Sequence, residues 1–375
     1  MSNRSRQPLH VILDWDGTLT EKDTLSLVAK VGYDKQKLDL EKGQSLDDAS
    51  TGRFILPWSE YGRLYMLDYS AHKDEYRPKA EQRTTLEAER KWLKSLLTVE
   101  DASARRVQQS ELFHGVGTSD IAAGAESAIR SGELKLRKGW ESFLRQVVED
   151  GSKVPQSKLR IPNMQRNKIS ILSVNWSETF IRKAIEATQP LSASEGAVGP
   201  QHGSGQLSVD DFRLTDFMQN KMEIYANEIQ GCDREGGSSG ALCGRSDIRT
   251  SRDKVDKFPE RNRDNLDIGT HDPPSDKQTR LVYVGDSDTD MECLLAADVG
   301  ICIRDEPLTS AQTALSSTLE RLQVATEHVG QLGKEVQGFR IWWARDFEEI
   351  QSAMQDAGFL WKSPVESVYT LAEDE

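Results

Sequence analysis

The chain of 375 residues is short of cysteine, of long apolar runs and of positive charge, and each shortage removes a class of function. Its four cysteines, Cys232, Cys243, Cys293 and Cys302, form no C-x-x-C pair, so neither a zinc knuckle nor a disulfide framework is expected. No stretch approaches the ~18 consecutive apolar residues of a membrane-spanning helix. Lys and Arg number 48 against 61 Asp and Glu, and the net charge of −13 lacks the cationic footprint of non-specific nucleic-acid binding. An anionic membrane surface is equally ill matched, so neither nucleic acid nor membrane is expected as a partner. The basic start Met1–Arg6 runs straight into a strand-like segment without a signal-peptide core, and an intracellular location, cytoplasmic or nuclear, is expected. On the same ground the sequon Asn175-Trp176-Ser177 is not expected to carry a glycan. With 37% hydrophobic residues and 27 glycines, the composition suits a packed core carrying long polar loops.

Short apolar runs stand at Leu9–Leu13, Ile169–Val174, Met222–Ala226, Leu281–Val284 and Val299–Ile303, with a weaker one at Phe339–Trp343. Helical periodicity at Phe180–Ala187 and Met291–Ala297 separates some of them, and strands alternating with helices predict a parallel, doubly wound, Rossmann-like α/β sheet. Residues 22–165 read almost wholly helical, with Leu86–Leu97 and Trp140–Val148 the clearest stretches, and so form an inserted helical domain that covers something. The expected division is residues 1–21 plus 166–360 as the core, 22–165 as the helical insertion, and 361–375 as an acidic, frayed tail. Ser192–Gly205, Gly231–Gly244 and Arg261–Thr279 read as mobile surface insertions of the core, near 190–207 and 230–280.

Chemistry concentrates at two strand ends. Asp14-Trp15-Asp16-Gly17-Thr18-Leu19-Thr20 follows the first apolar run, and carboxylates at i and i+2 of a strand's end project to the same side. Two such carboxylates repel unless a cation or a shared proton compensates. Gly17 lets the chain turn out of the strand, and Thr18 adds a hydroxyl there. The second cluster, Gly285-Asp286-Ser287-Asp288-Thr289-Asp290, lies where open α/β sheets bind ligands. Asp290 could instead cap the helix at Met291–Ala297, which explains one aspartate but not the cluster. Oxygen ligands without nearby His or Cys suit Mg²⁺ better than zinc.

On these residues the chain resembles the haloacid dehalogenase superfamily of phosphohydrolases, in its phosphoserine-phosphatase-like branch with a helical cap. The resemblance implies Asp14 as nucleophile, Asp16 as general acid/base, and Thr18 and Ser173 as phosphate-binding groups. It also implies a Mg²⁺ site of Asp14, Asp16 and Asp286 with Asp290 behind it. The element Thr250-Ser251-Arg252-Asp253-Lys254 points to Lys254 as the phosphate-binding lysine, with Lys257 one turn later as the alternative. Arg137-Lys138-Gly139-Trp140 is similar to a conserved-charge element late in such caps, and Lys138 is a candidate for substrate contact. Asp23 stands where phosphoserine phosphatases carry an acidic residue facing the substrate's amine, and it is equally placed to cap the helix beginning near Thr24. The stretch Ser173–Ser177 lacks the paired glycines usual in that branch, Trp15 is unusual, and the insertions are long. The pattern is closer to fungal members of the superfamily.

The implied reaction is Mg²⁺-dependent hydrolysis of a small phosphorylated metabolite through an aspartyl-phosphate. A phosphotransferase would share every motif. A phosphatase-like binding or regulatory protein would have no need of Asp14, Asp16, Ser173, Lys254 and Asp286 together.

Overall fold

The computed structural model describes residues 7–41, 55–152, 167–188, 221–242, 247–268, 278–334 and 339–362. Its centre is a seven-stranded sheet of β1 (Leu9–Leu13), β2 (Lys168–Leu172), β3 (Glu223–Tyr225), β4 (Arg280–Gly285), β5 (Val299–Ile303), β6 (Ala325–His328) and β7 (Arg340–Ala344). The spatial order is β3-β2-β1-β4-β5-β7-β6 and every pairing is parallel. This is a Rossmann-like, doubly wound sheet, whose order reverses at β1 and opens a ligand crevice at the carboxyl ends of β1 and β4.

Both faces of the sheet are covered, which is why its inner strands read as unbroken apolar runs. Successive residues of β1 enter different cores. Val11 and Leu13 join Val282, Val284 and Ile301, whereas Ile12 joins Leu281, Tyr283 and Leu294 on the opposite face. The edge strand β6, Ala-Thr-Glu-His, was not foreseen in the sequence because none of its residues is fully buried and it carries no apolar run.

Helices α1 (Leu25–Glu41), α2 (Trp58–Glu75), α3 (Leu86–Ser95), α4 (Leu97–Gln109), α5 (Thr118–Ser131) and α6 (Trp140–Ser152) occupy the described parts of the 22–165 block. The last of these packs on the sheet side: Phe143 of α6 stacks on Phe347 of the C-terminal helix, with ring centroids 5.5 Å apart. Helix α3 is tied down by charge, since buried Glu89 pairs with Arg83 and with Arg321, and Arg90 pairs with Glu292 and Asp267. Among the described residues the remaining α-helices are α7 (Glu178–Ala187), α8 (Ser251–Val255), α9 (Glu260–Ile268), α10 (Met291–Ala296), α11 (Ser310–Arg321) and α12 (Phe347–Asp356).

The Gly-rich stretch 231–242 corrects the expectation of a mobile surface insertion. Its backbone is stitched to the helical block, with Thr118 N donating to Cys232 O, Gly115 N to Ser238 O and Ser238 N to Val116 O. Gly237 is required there, because a Cβ on it would meet Gly115 O at 2.5 Å. The stretch at Ser192–Gly205, residues 243–246 and 269–277, and the tail Glu366–Glu375 lie outside the described residues.

Candidate active site

The site begins where β1 ends. Asp14 N donates to Val284 O at 2.9 Å, which registers the end of β1 against β4 and brings two acidic loops together. Gly17 then turns the chain at φ +74°, and a Cβ on it would lie 2.5 Å from Oδ2 of Asp286, so both the turn and the approach demand glycine. Thr18 Oγ1 donates to Asp286 Oδ1 at 3.1 Å, and its hydroxyl is therefore spent on orienting that carboxylate. Buried Arg137 fastens the turn from outside, donating to the carbonyls of Gly17 (2.7 Å) and Thr18 (3.0 Å) and pairing with Asp305. Its neighbour Lys138 is exposed and paired with Glu348, away from these contacts.

Of the two candidate lysines, Lys254 is the one that reaches the carboxylates. A reciprocal cap between Thr250 and Asp253 fixes the start of α8, and this aims Lys254 inward. Its fully buried Nζ lies 2.7 Å from Asp14 Oδ1 and 2.7 Å from Asp290 Oδ1. Asp290 is saturated: Oδ1 also accepts from Tyr283 OH, and Oδ2 accepts from the backbone N–H groups of Asp286 and Ser287 and from the Ser287 hydroxyl. This one residue holds the lysine and the acidic loop in a fixed relation.

Asp16 faces the other way. Oδ1 accepts from Thr24 N (2.7 Å) and Thr24 Oγ1 (2.6 Å), and Oδ2 accepts from Asn175 Nδ2 (2.9 Å). Trp15, fully buried, donates through Nε1 to the same threonine hydroxyl. The side-chain oxygens lying within 4.8 Å of one another come from Asp14, Asp286 and Asp290, while the Asp16 carboxylate is engaged by Thr24 and Asn175. Buried Asn175 is the residue that sequence reasoning missed, having registered only as part of a sequon. Ser173 sits one residue past β2, beside the end of β1, with its Oγ accepting from Asn175 N.

Burial governs the protonation of these groups. It pushes Asp14 well above the usual carboxylate range, reinforced by the Asp290 charge and opposed by Lys254. Burial and Asp290 push Asp286 up to about 7. Asp16 is raised by burial as well, with the donors from Thr24 and Asn175 pulling the other way. Asp290 is held low: burial would raise it, but Lys254 and Tyr283 outweigh that. With all three carboxylates ionised, one ammonium leaves a buried excess of two negative charges, and a hard divalent cation held by Asp14 and Asp286 would balance it.

Beside the carboxylates lies a cavity of about 320 Å³ lined by Trp58, Tyr61, Tyr65 and Trp176 together with Asp23, Glu100 and the largely buried Arg249. Val174, next to Ser173, and Thr289, next to Asp290, belong to the same wall. Asp23 keeps contact with solvent yet is pushed up to about 6 by its surroundings and by Asp16, while one of its oxygens accepts from Leu25 N at the start of α1.

No protein-family model matches the chain. It is 22% identical over 293 residues to the CTO1 family protein C17G9.12c of Schizosaccharomyces pombe, covering 78% of this chain and 81% of that protein. Among solved structures it is similar to a phospho-aspartyl intermediate analogue of phosphoserine phosphatase, at 13% identity and a TM-score of 0.38 over 92% of this chain and 99% of that one. A substrate-bound phosphoserine phosphatase complex stands at 12% identity and a TM-score of 0.38, covering 93% and 99%. A HAD family hydrolase from Salmonella enterica serovar Typhi stands at 11% and 0.32, covering 80% and 65%.

Proposed function

We propose that this chain is a Mg²⁺-dependent phosphatase of the haloacid dehalogenase type that hydrolyses small phosphate monoesters through an aspartyl-phosphate on Asp14. The observation that carries the reading is Lys254 Nζ at 2.7 Å from Asp14 Oδ1 inside a buried group of three carboxylates. A phosphate dianion repels a carboxylate nucleophile, and attack requires that repulsion to be cancelled locally. Lys254 supplies one positive charge at the nucleophile, and Mg²⁺ held by Asp14 and Asp286 would supply two more against the phosphoryl oxygens. The Ser173 hydroxyl, beside the end of β1, is the further phosphoryl contact in this reading.

In the first step an Asp14 oxygen bonds to phosphorus as the bond to the leaving oxygen breaks, and Asp16 gives that oxygen its proton. In the second step water attacks phosphorus, Asp16 takes a proton from it, and the bond between Asp14 and phosphorus breaks to release inorganic phosphate. An Asp16 raised by burial and still hydrogen-bonded to Thr24 and Asn175 is suited to both duties. The helical block 22–165 acts as the cap that excludes bulk water and bulky substrates. An alcohol taking the place of water would make the same chain a phosphotransferase, and added alcohol acceptors distinguish the two outcomes.

The test is phosphate release from a panel of phosphorylated metabolites with Mg²⁺ and with excess chelator. Activity should need Mg²⁺, vanish in Asp14→Asn, and be blocked by beryllium fluoride trapped on Asp14. Full activity in chelator, or wild-type turnover in Asp14→Asn, overturns the mechanism.

A further inference from the structure

We propose that the cavity beside the carboxylates is a cation box, and that the preferred substrates are phosphate monoesters whose leaving group ends in a compact alkylated ammonium. The inference rests on the phosphatase reading and deepens it. The walls are aromatic on several sides, and their arrangement matters. The rings of Trp58 and Trp176 stand 5.7 Å apart at 83°, and Tyr61 is tilted 47° to Trp58. Rings packed against one another at such angles make a corner that a rounded group can enter, whereas a flat nucleobase asks for a parallel slot. A quaternary or alkylated ammonium is attracted to the faces of Trp and Tyr and loses little hydration on entering.

Charge in the lining agrees. Asp23 and Glu100 bring two carboxylates to the cavity, and the guanidinium of Arg249 is already opposed by Asp101 at 3.3 Å and Asp247 at 3.7 Å. Glu100 accepts from Tyr65 OH at 2.8 Å, which fixes one aromatic wall to one carboxylate. A leaving group bearing an anion would meet Asp23 and Glu100 unfavourably. The phosphoryl group would lie on the side of Val174 and Thr289, nearest the nucleophile, with the cationic end among the rings.

The experiment compares phosphocholine with 3,3-dimethylbutyl phosphate, its uncharged carbon isostere, and with a nucleoside monophosphate and p-nitrophenyl phosphate, all with Mg²⁺. We expect kcat/KM for phosphocholine to exceed that for the isostere by at least about tenfold. Asp23→Asn and Trp58→Leu should each shrink that ratio toward unity. Turnover of p-nitrophenyl phosphate without any preference for the charged ester overturns the cation box and leaves the phosphatase reading standing, as does a preference for the nucleotide. If no ester is hydrolysed the phosphatase reading falls, and calorimetric titration with choline against 3,3-dimethylbutanol then judges the box by itself. Equal affinity for the two, or binding of neither, overturns it.

Discussion

Asn175 donates through Nδ2 to Asp16 Oδ2 at 2.9 Å and, through the same nitrogen, to Thr24 Oγ1 at 3.0 Å. A residue that follows β2 thus orients a carboxylate that follows β1, with the first residue before α1 completing the cradle. The donors favour the charged form of Asp16, against the burial that raises it.

Removing one donor should therefore raise Asp16 further. In the proposed first step Asp16 must be protonated, so the rate falls as pH rises through its pKa. Asn175→Leu should move that alkaline limb of the kcat profile to higher pH by about one unit, the worth of one hydrogen bond to a charged group. It should also lower kcat, because the carboxylate loses its orientation. A pH–rate profile settles the matter: a limb that stays in place would show that Asp16 is not the titrating acid.

Lys254 and Lys257 lie one helical turn apart and should behave very differently. Lys254→Ala leaves Asp14 and Asp290 facing each other in a buried site, a change of the kind that costs about 3–5 kcal/mol. Lys257→Ala removes a half-buried charge with no such role and should stay within about 0.5 kcal/mol. Denaturant melts of both variants beside the parent provide the measurement, and phosphate release should follow the same order.

What was legible in the sequence was local. β1 announces itself as Leu-His-Val-Ile-Leu because its alternate residues are buried in two different cores, and the carboxylates at Asp14 and Asp286 follow directly from where two such strands stop. Thr250 and Asp253 signal a helix start, and that places Lys254. What escaped was long-range. Asn175 looks like any polar loop residue until Asp16 is seen opposite it. Glu89 looks like a solvated helix charge until Arg83 and Arg321 enclose it. The Gly-rich stretch 231–242 reads as a loose loop because backbone hydrogen bonds to residues 115–118 leave no mark on side-chain composition.

Stability should depend on pH and Mg²⁺ together. Asp286, held up at about 7, and Asp14, also raised by burial, bind protons in the folded state that the unfolded chain releases near pH 4. Their contribution is full below pH 4 and is lost as pH rises through 7, so the metal-free protein should weaken across that window. Asp290, held low, acts oppositely, but only below pH 4. Mg²⁺ should therefore raise Tm more at pH 8 than at pH 5, where protons already do part of its work. Thermal melts at both pH values, with Mg²⁺ and with chelator, test this, and equal shifts would show that the carboxylates do not bind the ion.

The last expectation concerns the size of what the cap admits. Gly62 lies on α2 in the cavity wall, and a Cβ there would meet nothing within 4 Å. Gly62→Leu should therefore fold well, gaining up to about 1 kcal/mol from replacing a helical glycine. Its side chain would take space from a cavity of about 320 Å³, which bounds the leaving group. In the parent protein small monoesters should exceed a phosphoprotein by orders of magnitude in kcat/KM, because a folded protein cannot enter a cavity of that size. In Gly62→Leu the loss should grow with the bulk of the leaving group, greatest for aryl and nucleoside esters and least for the smallest alkyl phosphate. The change should fall on KM more than on kcat, since the reacting carboxylates are untouched. A uniform loss across the series, or a parent that prefers the phosphoprotein, would show that substrates do not occupy this cavity.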